Sequence, residues 1–127
     1  MEIRYGTDIV RVERIQRLLN TRLTARGRLF TEKEQAYAEA RGENRYESYA
    51  AFFAAKEAVI KALHGEVFST WHDIEVQHDE CGVPSLCLSG DIKEYCFDLG
   101  LKASTLSLSH EREYAIAGVI LWGDEHI

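Results

Sequence analysis

The chain has 127 residues, which is enough for one domain with a substantial core. Its hydrophobic fraction of 46% is ordinary for a globular protein, and no apolar run is long enough to cross a membrane. The net charge is −6, yet residues 4–28 contain seven arginines against two acids. An acidic protein with one basic segment is unsuited to general nucleic-acid binding and suits a compact acidic partner. Alternatively, these arginines balance neighbouring acids within the fold.

The cysteines and the N-terminus indicate the cellular compartment in which the protein is expected to work. Cys81, Cys87 and Cys96 are odd in number and lack CxxC spacing, so neither a disulfide framework nor a zinc site is expected. The N-terminus has no secretory signal pattern. We therefore expect a reducing, cytoplasmic setting and a single domain over residues 1–127.

The N-terminal third predicts a strand followed by helices. Residues 3–10 alternate apolar with other residues, as in a strand, and Val12 begins a stretch with apolar residues at helical spacing. A polar link then leads to Thr31, which forms a capping box with Glu34. That capping box predicts a helix over about residues 32–41.

The stretch Phe52–Leu63 is the centre of a helix predicted over about residues 48–64. One face carries large apolar side chains and another only alanines, so neighbouring elements should surround the helix and one could approach closely. Three charged residues do not fit this pattern of apolar faces, namely Lys56, Glu57 and Lys61. One interpretation is a solvent-exposed strip of the helix, with a Glu57–Lys61 ion pair and with the aliphatic part of Lys56 extending so that its ammonium reaches water. The other is a cleft that contains one carboxylate and two ammonium groups. A cleft of that kind suits a divalent metal and phosphates.

The C-terminal half alternates short strands with one helix. The predicted elements are a hairpin of residues 71–77 and 85–89, a helix ending at Gly100, a second hairpin of residues 105–110 and 114–122, and a short free tail of residues 123–127. The last strand is apolar on both faces, so we expect it to be central in its sheet. The element order predicts an α+β fold.

Several motifs occur together along this chain. They are Gly6-Thr7-Asp8-Ile9-Val10, Arg14-Ile15, Phe30-Thr31-x-x-Glu34, Phe53-Ala54-Ala55-Lys56-Glu57-Ala58, Lys61-Ala62-Leu63, Trp71-x-Asp73-Ile74, Gly82-x-Pro84 and Ser107-x-Ser109-His110. In this order they resemble the holo-acyl-carrier-protein synthases, the short 4′-phosphopantetheinyl transferases. The resemblance covers about residues 3–121 and implies antiparallel strands packed around the central helix.

The resemblance also implies a reaction and its site residues. The phosphopantetheine arm of coenzyme A would pass to a serine of an apo acyl carrier protein, releasing adenosine 3′,5′-bisphosphate. Asp8 and Glu57 would hold Mg²⁺, or Mn²⁺ in its place, and Glu57 is the first candidate for the base that removes the serine proton. The remaining implied catalytic and coenzyme-binding residues are Lys56, Lys61, His64, Gly65, Ser109 and His110. Lys61 would pair with the pyrophosphate, Lys56 with a phosphate or the metal-site carboxylates, and His110 would bind phosphate or handle a proton.

The same resemblance implies a binding partner for the basic segment of residues 4–28. Arg14 matches the helix on which this family docks carrier proteins, and Arg11 and Arg17 extend the basic patch. Carrier proteins present an acidic helix beside their serine. Family members of this length resemble homotrimers with active sites between protomers.

Two parts of the chain depart from the family pattern. The family usually has an arginine that serves the coenzyme A phosphates where this chain has Phe52, and a small-residue turn where it has His64-Gly65-Glu66. These departures motivate an alternative, a non-catalytic relative that only docks carriers. A metal-dependent phosphohydrolase would fit Asp8 and Glu57 but leave the basic segment unexplained.

Overall fold

A computed structural model of the chain describes residues 2–123. Within that range five strands and five α-helices form an α+β fold, as predicted. They are β1 (Ile3–Arg11), α1 (Val12–Thr21), α2 (Ala25–Leu29), α3 (Glu32–Glu39), α4 (Arg45–Ala62), β2 (Ile74–His78), β3 (Pro84–Leu88), α5 (Gly90–Asp98), β4 (Ala103–His110) and β5 (Tyr114–Trp122). The predicted tail lies outside the described residues except for Gly123, which is buried and whose N–H donates to the carbonyl of Glu2. None of the helices in this range has the length and apolar character that a membrane span requires.

The strands form two antiparallel sheets. The larger sheet has the order β1-β5-β4, so β5 is the central strand, as its apolar composition predicts. The smaller sheet is the β2–β3 hairpin, which was also predicted. Because β1 and β4 lie on opposite sides of β5, side chains at these two edges of the large sheet are kept apart.

Helix α4 packs against the inner face of the large sheet and is the centre of the core. Every residue from Ser48 to Lys56 is buried, which confirms the prediction of a helix surrounded by other elements. The helix begins at Arg45, three residues before the predicted start, and ends at Ala62. It ends there because His64 and Gly65 both have positive φ angles, 56° and 68°.

The alanine face of α4 is where β1 approaches most closely. A Cβ atom added at Gly6 would lie 1.9 Å from the carbonyl oxygen of Ala58 and 2.9 Å from the amide nitrogen of Ala62. Strand residues two apart lie on the same face, so Asp8 is directed toward the same helix as Gly6. The glycine and the alanines therefore decide how near Asp8 comes to the last turns of α4.

Two further predictions about the elements are wrong. The link between α1 and α3 contains the short helix α2, which buries Ala25 and Leu29 although its other residues are arginines and glycine. Five residues carry too little periodicity to be recognised as a helix. Strand β2 begins at Ile74 and not at Trp71, because Trp71–Asp73 form a 3-10 turn that the side chain of Thr70 caps.

Lys56 lies in the core, which corrects both interpretations of this residue. Its ammonium group is fully buried and lies 2.9 Å from a carboxylate oxygen of Glu34. It also donates to the backbone carbonyls of Trp71 and Ile74. Burial lowers the pKa of Lys56, and the Glu34 carboxylate opposes that shift. Lys56 therefore joins α4 to α3 and β2, and neither reaches solvent nor enters a cleft.

Candidate active site

Asp8 and Lys61 meet where β1 passes the last turns of α4. The Nζ atom of Lys61 lies 2.8 Å from Oδ1 of Asp8. Asp8 is largely shielded by the packing of β1 on the helix, whereas Lys61 is exposed. This hydrogen bond to the carboxylate raises the pKa of Lys61. The cation of this pair therefore stands at the surface of the molecule, open to an anionic ligand.

Glu57 lies one helical turn before Lys61 and is half-buried. Burial raises the pKa of its carboxyl group, and the nearby Asp8 carboxylate raises it further. The Lys61 and Arg14 cations act in the opposite direction. Two carboxylates that repel each other and are partly desolvated favour a bound cation or proton between them. Asp8 and Glu57, which were predicted as a pair, are thus brought together by the fold.

This donor set fits a magnesium ion that also takes oxygens from elsewhere. Within residues 2–123 no group of three or more His, Cys, Asp and Glu side chains could enclose a metal ion. Mg²⁺ is usually held by one or two carboxylates, with water and substrate phosphate completing its shell. Asp8 and Glu57 supply that number of carboxylates, and Lys61 supplies a cation for a neighbouring phosphate.

The three arginines predicted for docking lie on or beside α1 and are all exposed. Arg17 pairs with Glu13 at 2.6 Å, and Arg11 donates to the hydroxyl of Tyr114 at 3.1 Å. Arg14 is close enough to Glu57 to lower the pKa of that carboxyl group. The basic surface of α1 is therefore continuous with the Asp8–Glu57–Lys61 cluster.

The turn after α4 lies at the same end of the helix as Lys61. His64 and Gly65 are exposed there, and Nδ1 of His64 lies 3.5 Å from Nη1 of Arg4. The Glu66 carboxylate accepts a hydrogen bond from the hydroxyl of Tyr95. Glu66, which belongs to one of the two departures from the family pattern, therefore binds the side chain of Tyr95 on α5.

Ser109 and His110 lie elsewhere in the chain. Both are at the end of β4, where Ser109 pairs with Ile116 of the exposed sheet face. Nδ1 of His110 lies 2.9 Å from Oε1 of Glu47, near the start of α4. Because β4 and β1 flank β5, one chain does not bring His110 and Asp8 to the same place. The predicted site residues thus form two separate groups in a single protomer.

The group around His110 contains residues that the sequence did not identify. Arg41 donates to the hydroxyl of Ser48 at 3.0 Å, and its Nη1 lies 3.5 Å from Nε2 of His110. From the sequence alone, Arg41 and Glu47 are ordinary polar residues near the link between the two predicted helices of residues 32–41 and 48–64. Only the packing of β4 against α4 places them beside a histidine from the other end of the chain.

Known proteins share both this sequence pattern and this fold. A family model described as the 4′-phosphopantetheinyl transferase superfamily matches residues 4–119. The chain belongs to this superfamily. A holo-[acyl-carrier-protein] synthase of Caldanaerobacter subterraneus subsp. tengcongensis is 40% identical over 127 residues, which cover 99% of each chain. The resemblance read from the motifs is therefore confirmed, and the chain is an enzyme of the phosphopantetheinyl transferase class.

Solved structures of the superfamily have the same architecture. The holo-ACP synthase of Plasmodium yoelii matches with a TM-score of 0.82 at 27% identity, covering 98% of this chain and all of that one. A holo-(acyl-carrier-protein) synthase of Bacillus anthracis, solved in complex with CoA (3′,5′-ADP), matches with a TM-score of 0.74 at 33% identity, covering 95% of this chain and 96% of that one. These likenesses confirm the predicted fold of antiparallel strands around a central helix.

Proposed function

We propose that this transferase moves the 4′-phosphopantetheine arm of coenzyme A onto a serine of an apo acyl carrier protein. The observation that carries the proposal is the Asp8–Glu57–Lys61 cluster at the end of α4, in a chain of this superfamily. The carrier serine would attack the β-phosphorus, forming a new O–P bond. The bond from that phosphorus to the bridging oxygen would break, and adenosine 3′,5′-bisphosphate would leave.

Asp8 and Glu57 are the residues that would hold Mg²⁺, or Mn²⁺ in its place. When bound, the ion would neutralise charge on the pyrophosphate oxygens. Lys61 would stand beside the same oxygens, where its ammonium stabilises the negative charge that develops on the leaving phosphate. Lys56 has no part in this chemistry, because its three contacts lie in the core.

The serine proton needs an acceptor within the same cluster. Glu57 is our candidate, because it is the half-buried carboxylate of the cluster and lies near Arg14 of α1. Glu57 lies beside the basic surface of α1. A carrier docked on that surface would present its serine from the same side.

Carrier docking is proposed for Arg11, Arg14 and Arg17 on α1. All three are exposed, and an acidic helix of the carrier would find the most concentrated positive charge of the chain there. Arg14 lies near Glu57, so a carrier bound at this surface would need little further movement to reach the cluster.

A homotrimer with active sites between protomers would unite the two groups of site residues. The outer face of the large sheet exposes apolar side chains that pair across strands, Ile9 opposite Ile116 and Tyr5 opposite Ile120. A continuous apolar sheet face usually packs against another layer. Packing of this face against neighbouring copies would bring His110 of one protomer toward the Asp8 cluster of the next.

The single domain over residues 1–127 and the reducing, cytoplasmic setting stay predictions. In the structure Cys81, Cys87 and Cys96 are free thiols, and Cys96 is the buried one of the three.

The experiment is intact-mass spectrometry of an apo acyl carrier protein incubated with this protein, coenzyme A and Mg²⁺. We expect the carrier to gain the mass of one phosphopantetheine arm, and EDTA to prevent the gain. Glu57→Gln should lower turnover by about 10²- to 10⁴-fold, the usual contribution of a positioned base, without loss of the fold. Glu94→Gln, an exposed glutamate of α5, is the matched control and should behave like the unaltered protein.

Near-normal turnover of the Glu57→Gln variant at saturating Mg²⁺ would contradict the assignment of Glu57. Carrier binding without any mass gain, for several apo carriers, would instead favour the carrier-docking relative. Release of phosphate from coenzyme A without a carrier would favour the phosphohydrolase.

A further inference from the structure

A groove with an apolar floor opens between strands β3 and β4, beside helix α5. Its volume is about 350 Å³. β3 and β4 are edge strands of two different sheets, and α5 connects them along the chain. Because no strand pairing within residues 2–123 joins the two sheets, the space between their edges stays open. None of the residues that line the groove belongs to the Asp8–Glu57–Lys61 cluster or to the group around His110.

The floor of the groove is one half of the inner face of the small sheet. Leu86 and Leu88 lie on the same face of β3, and the sheet register places them opposite Val76 and Ile74. Val76 and Ile74 are buried, whereas Leu86 and Leu88 are only half-buried. The core therefore covers the β2 half of this face, and the β3 half is left to the groove.

One side of α5 forms a wall of the groove. Cys96 and Phe97 follow Lys93 by three and four residues, so the three side chains lie on the same side of the helix, and all of them line the groove. Phe97 is 64% exposed, although it continues the apolar surface of the floor. A contiguous exposed apolar surface inside a concavity is typical of a ligand-binding groove.

Two lysines give the groove a positive charge. Nζ of Lys102 lies 5.4 Å from the centre of the Phe97 ring, and Lys93 precedes Phe97 by one helical turn. In the part of the chain that the structure describes, neither lysine forms a salt bridge, and no carboxylate lines the groove. Glu94 and Asp98 each follow a groove residue of α5 by one position, so they are rotated about 100° away from it.

The size and the chemistry of the groove together select a small amphipathic anion. Ligand sites usually have volumes of about 300–1,000 Å³ and apolar walls, with a few polar groups that fix the orientation of the ligand. The apolar floor suits an alkyl chain, and two ammonium groups near one wall suit a carboxylate. A membrane surface would need a wide outward-facing apolar patch, whereas the apolar atoms here line a groove between two strands.

We propose that this groove binds a free aliphatic carboxylate, a medium-chain fatty acid. The alkyl chain lies over Leu86 and Leu88, and Phe97 covers one side of it. Lys93 and Lys102 hold the carboxylate. The proposal is independent of the transfer reaction, because the groove and the Asp8–Glu57–Lys61 cluster have no residue in common.

Titration calorimetry of the full chain with hexanoate, octanoate and decanoate tests the apolar floor. Each buried methylene contributes roughly fourfold in affinity, so the dissociation constant should fall by about 10-fold for every two methylenes added. Decyltrimethylammonium has the same chain as decanoate and the opposite charge, and it should bind at least about 10-fold more weakly. Equal affinity for the two decyl compounds, or affinity that does not depend on chain length, would contradict the proposal.

Lysine variants test the carboxylate end of the groove. Lys93→Gln and Lys102→Gln should each weaken decanoate binding by about 2- to 5-fold, the range for an exposed ion pair. Lys33→Gln is the matched control, since Lys33 is an exposed lysine of α3 that does not line this groove. Unchanged decanoate affinity in both groove variants would remove the lysines from the site.

A blocking variant tests the alkyl end. Ser104 is an exposed residue that lines the groove, so the ring in Ser104→Phe should occupy the space of the chain and abolish decanoate binding. Ser85→Phe is the control, because Ser85 is exposed and lies on the opposite face of β3 from the two leucines. Thermal melting should show that both variants are folded. Normal decanoate binding by Ser104→Phe would overturn the proposal.

Competition and mass measurements distinguish this ligand from other occupants. Coenzyme A should not displace decanoate, and displacement would make the groove part of the coenzyme site. Vesicles of phosphatidylglycerol should not bind the protein. Vesicle binding that Ser104→Phe abolishes, in a protein that does not bind decanoate, would assign the groove to a membrane. A lower mass of Ser104→Phe in light scattering would assign it to a contact between copies, and each of these three results would overturn the proposal.

Discussion

At the scale of single residues, Gly6 determines how closely β1 and α4 can approach each other. Its missing side chain lets the strand backbone pass within contact of the Ala58 carbonyl. Asp8 follows on the same face of β1, and its bond to Lys61 depends on that approach. A residue with no functional atoms therefore positions the acid that would hold the metal.

Gly6→Ala should destabilise the protein by about 3 kcal/mol, the upper part of the usual range for overpacking, because the added Cβ would meet backbone atoms that cannot rotate away. Denaturant unfolding measures this change. The Mg²⁺ requirement of the transfer reaction should rise in the same variant, since Asp8 would move away from Glu57.

Gly27→Ala is the comparison for that substitution. Gly27 lies within α2, and apart from its chain neighbours and the backbone of the helix itself, no atom of residues 2–123 lies within 4 Å of an added Cβ. We expect this variant to be more stable by about 0.5–1 kcal/mol, because alanine is the better helix former. If Gly6→Ala were equally harmless, the close packing of β1 on α4 would not hold in solution.

At the scale of secondary-structure elements, the buried pair of Glu34 and Lys56 joins three of them. Glu34 caps α3 by accepting from the Thr31 N–H at 2.9 Å and also accepts from the Val76 N–H of β2 at 2.8 Å. Lys56 brings α4 to the same point. The small sheet is thus fixed to the helical core by polar contacts that are shielded from water.

Lys56→Met should lower the free energy of unfolding by about 3–5 kcal/mol, because it leaves the Glu34 carboxylate buried without its cation. The double variant Glu34→Gln, Lys56→Met should lose less than the sum of the two single variants. Denaturant unfolding of all four proteins completes this cycle.

A phosphate-binding Lys56 would give a different result. The KM for coenzyme A would rise in Lys56→Met while the unfolding free energy stayed unchanged. That outcome would contradict the structural role of the pair.

At the scale of the whole molecule, the outer face of the large sheet is left uncovered by this chain. Ile9 and Ile116 face each other across β1 and β5 and are 59% and 46% exposed. Side chains of this kind on a central and an edge strand are costly in water unless another layer covers them. The uncovered face and the divided site both favour an assembly of copies.

Ile116→Asp should convert the proposed trimer to a monomer and abolish transfer, because a carboxylate cannot be buried without a partner at such a face. Light scattering after size-exclusion chromatography measures the mass. Phe97→Asp is the control, since Phe97 is 64% exposed on α5 and does not belong to this sheet face. An unaltered protein that is monomeric and fully active at micromolar concentration would contradict the assembly.

The sequence by itself determined the elements whose signals are local. Alternation and helical spacing identified β1, α1, α5 and the two hairpins, and the Thr31–Glu34 capping box identified the start of α3. The apolar composition of β5 correctly predicted its central place between β1 and β4, although this chain leaves the outer face of β5 uncovered. The motifs also singled out Asp8, Glu57 and Lys61, which the fold then brings together.

Only the tertiary structure decided what the charged residues contact. Lys56 and Lys61 lie on the same helix five residues apart, yet one is fully buried against Glu34 and the other is exposed beside Asp8. Arg41 and His110, far apart in the chain, meet because β4 packs beside α4. The sequence spacing of a charged residue does not indicate which residue it will contact. Its partner depends on which helices and strands pack together in the core, and these contacts join residues that are distant in sequence.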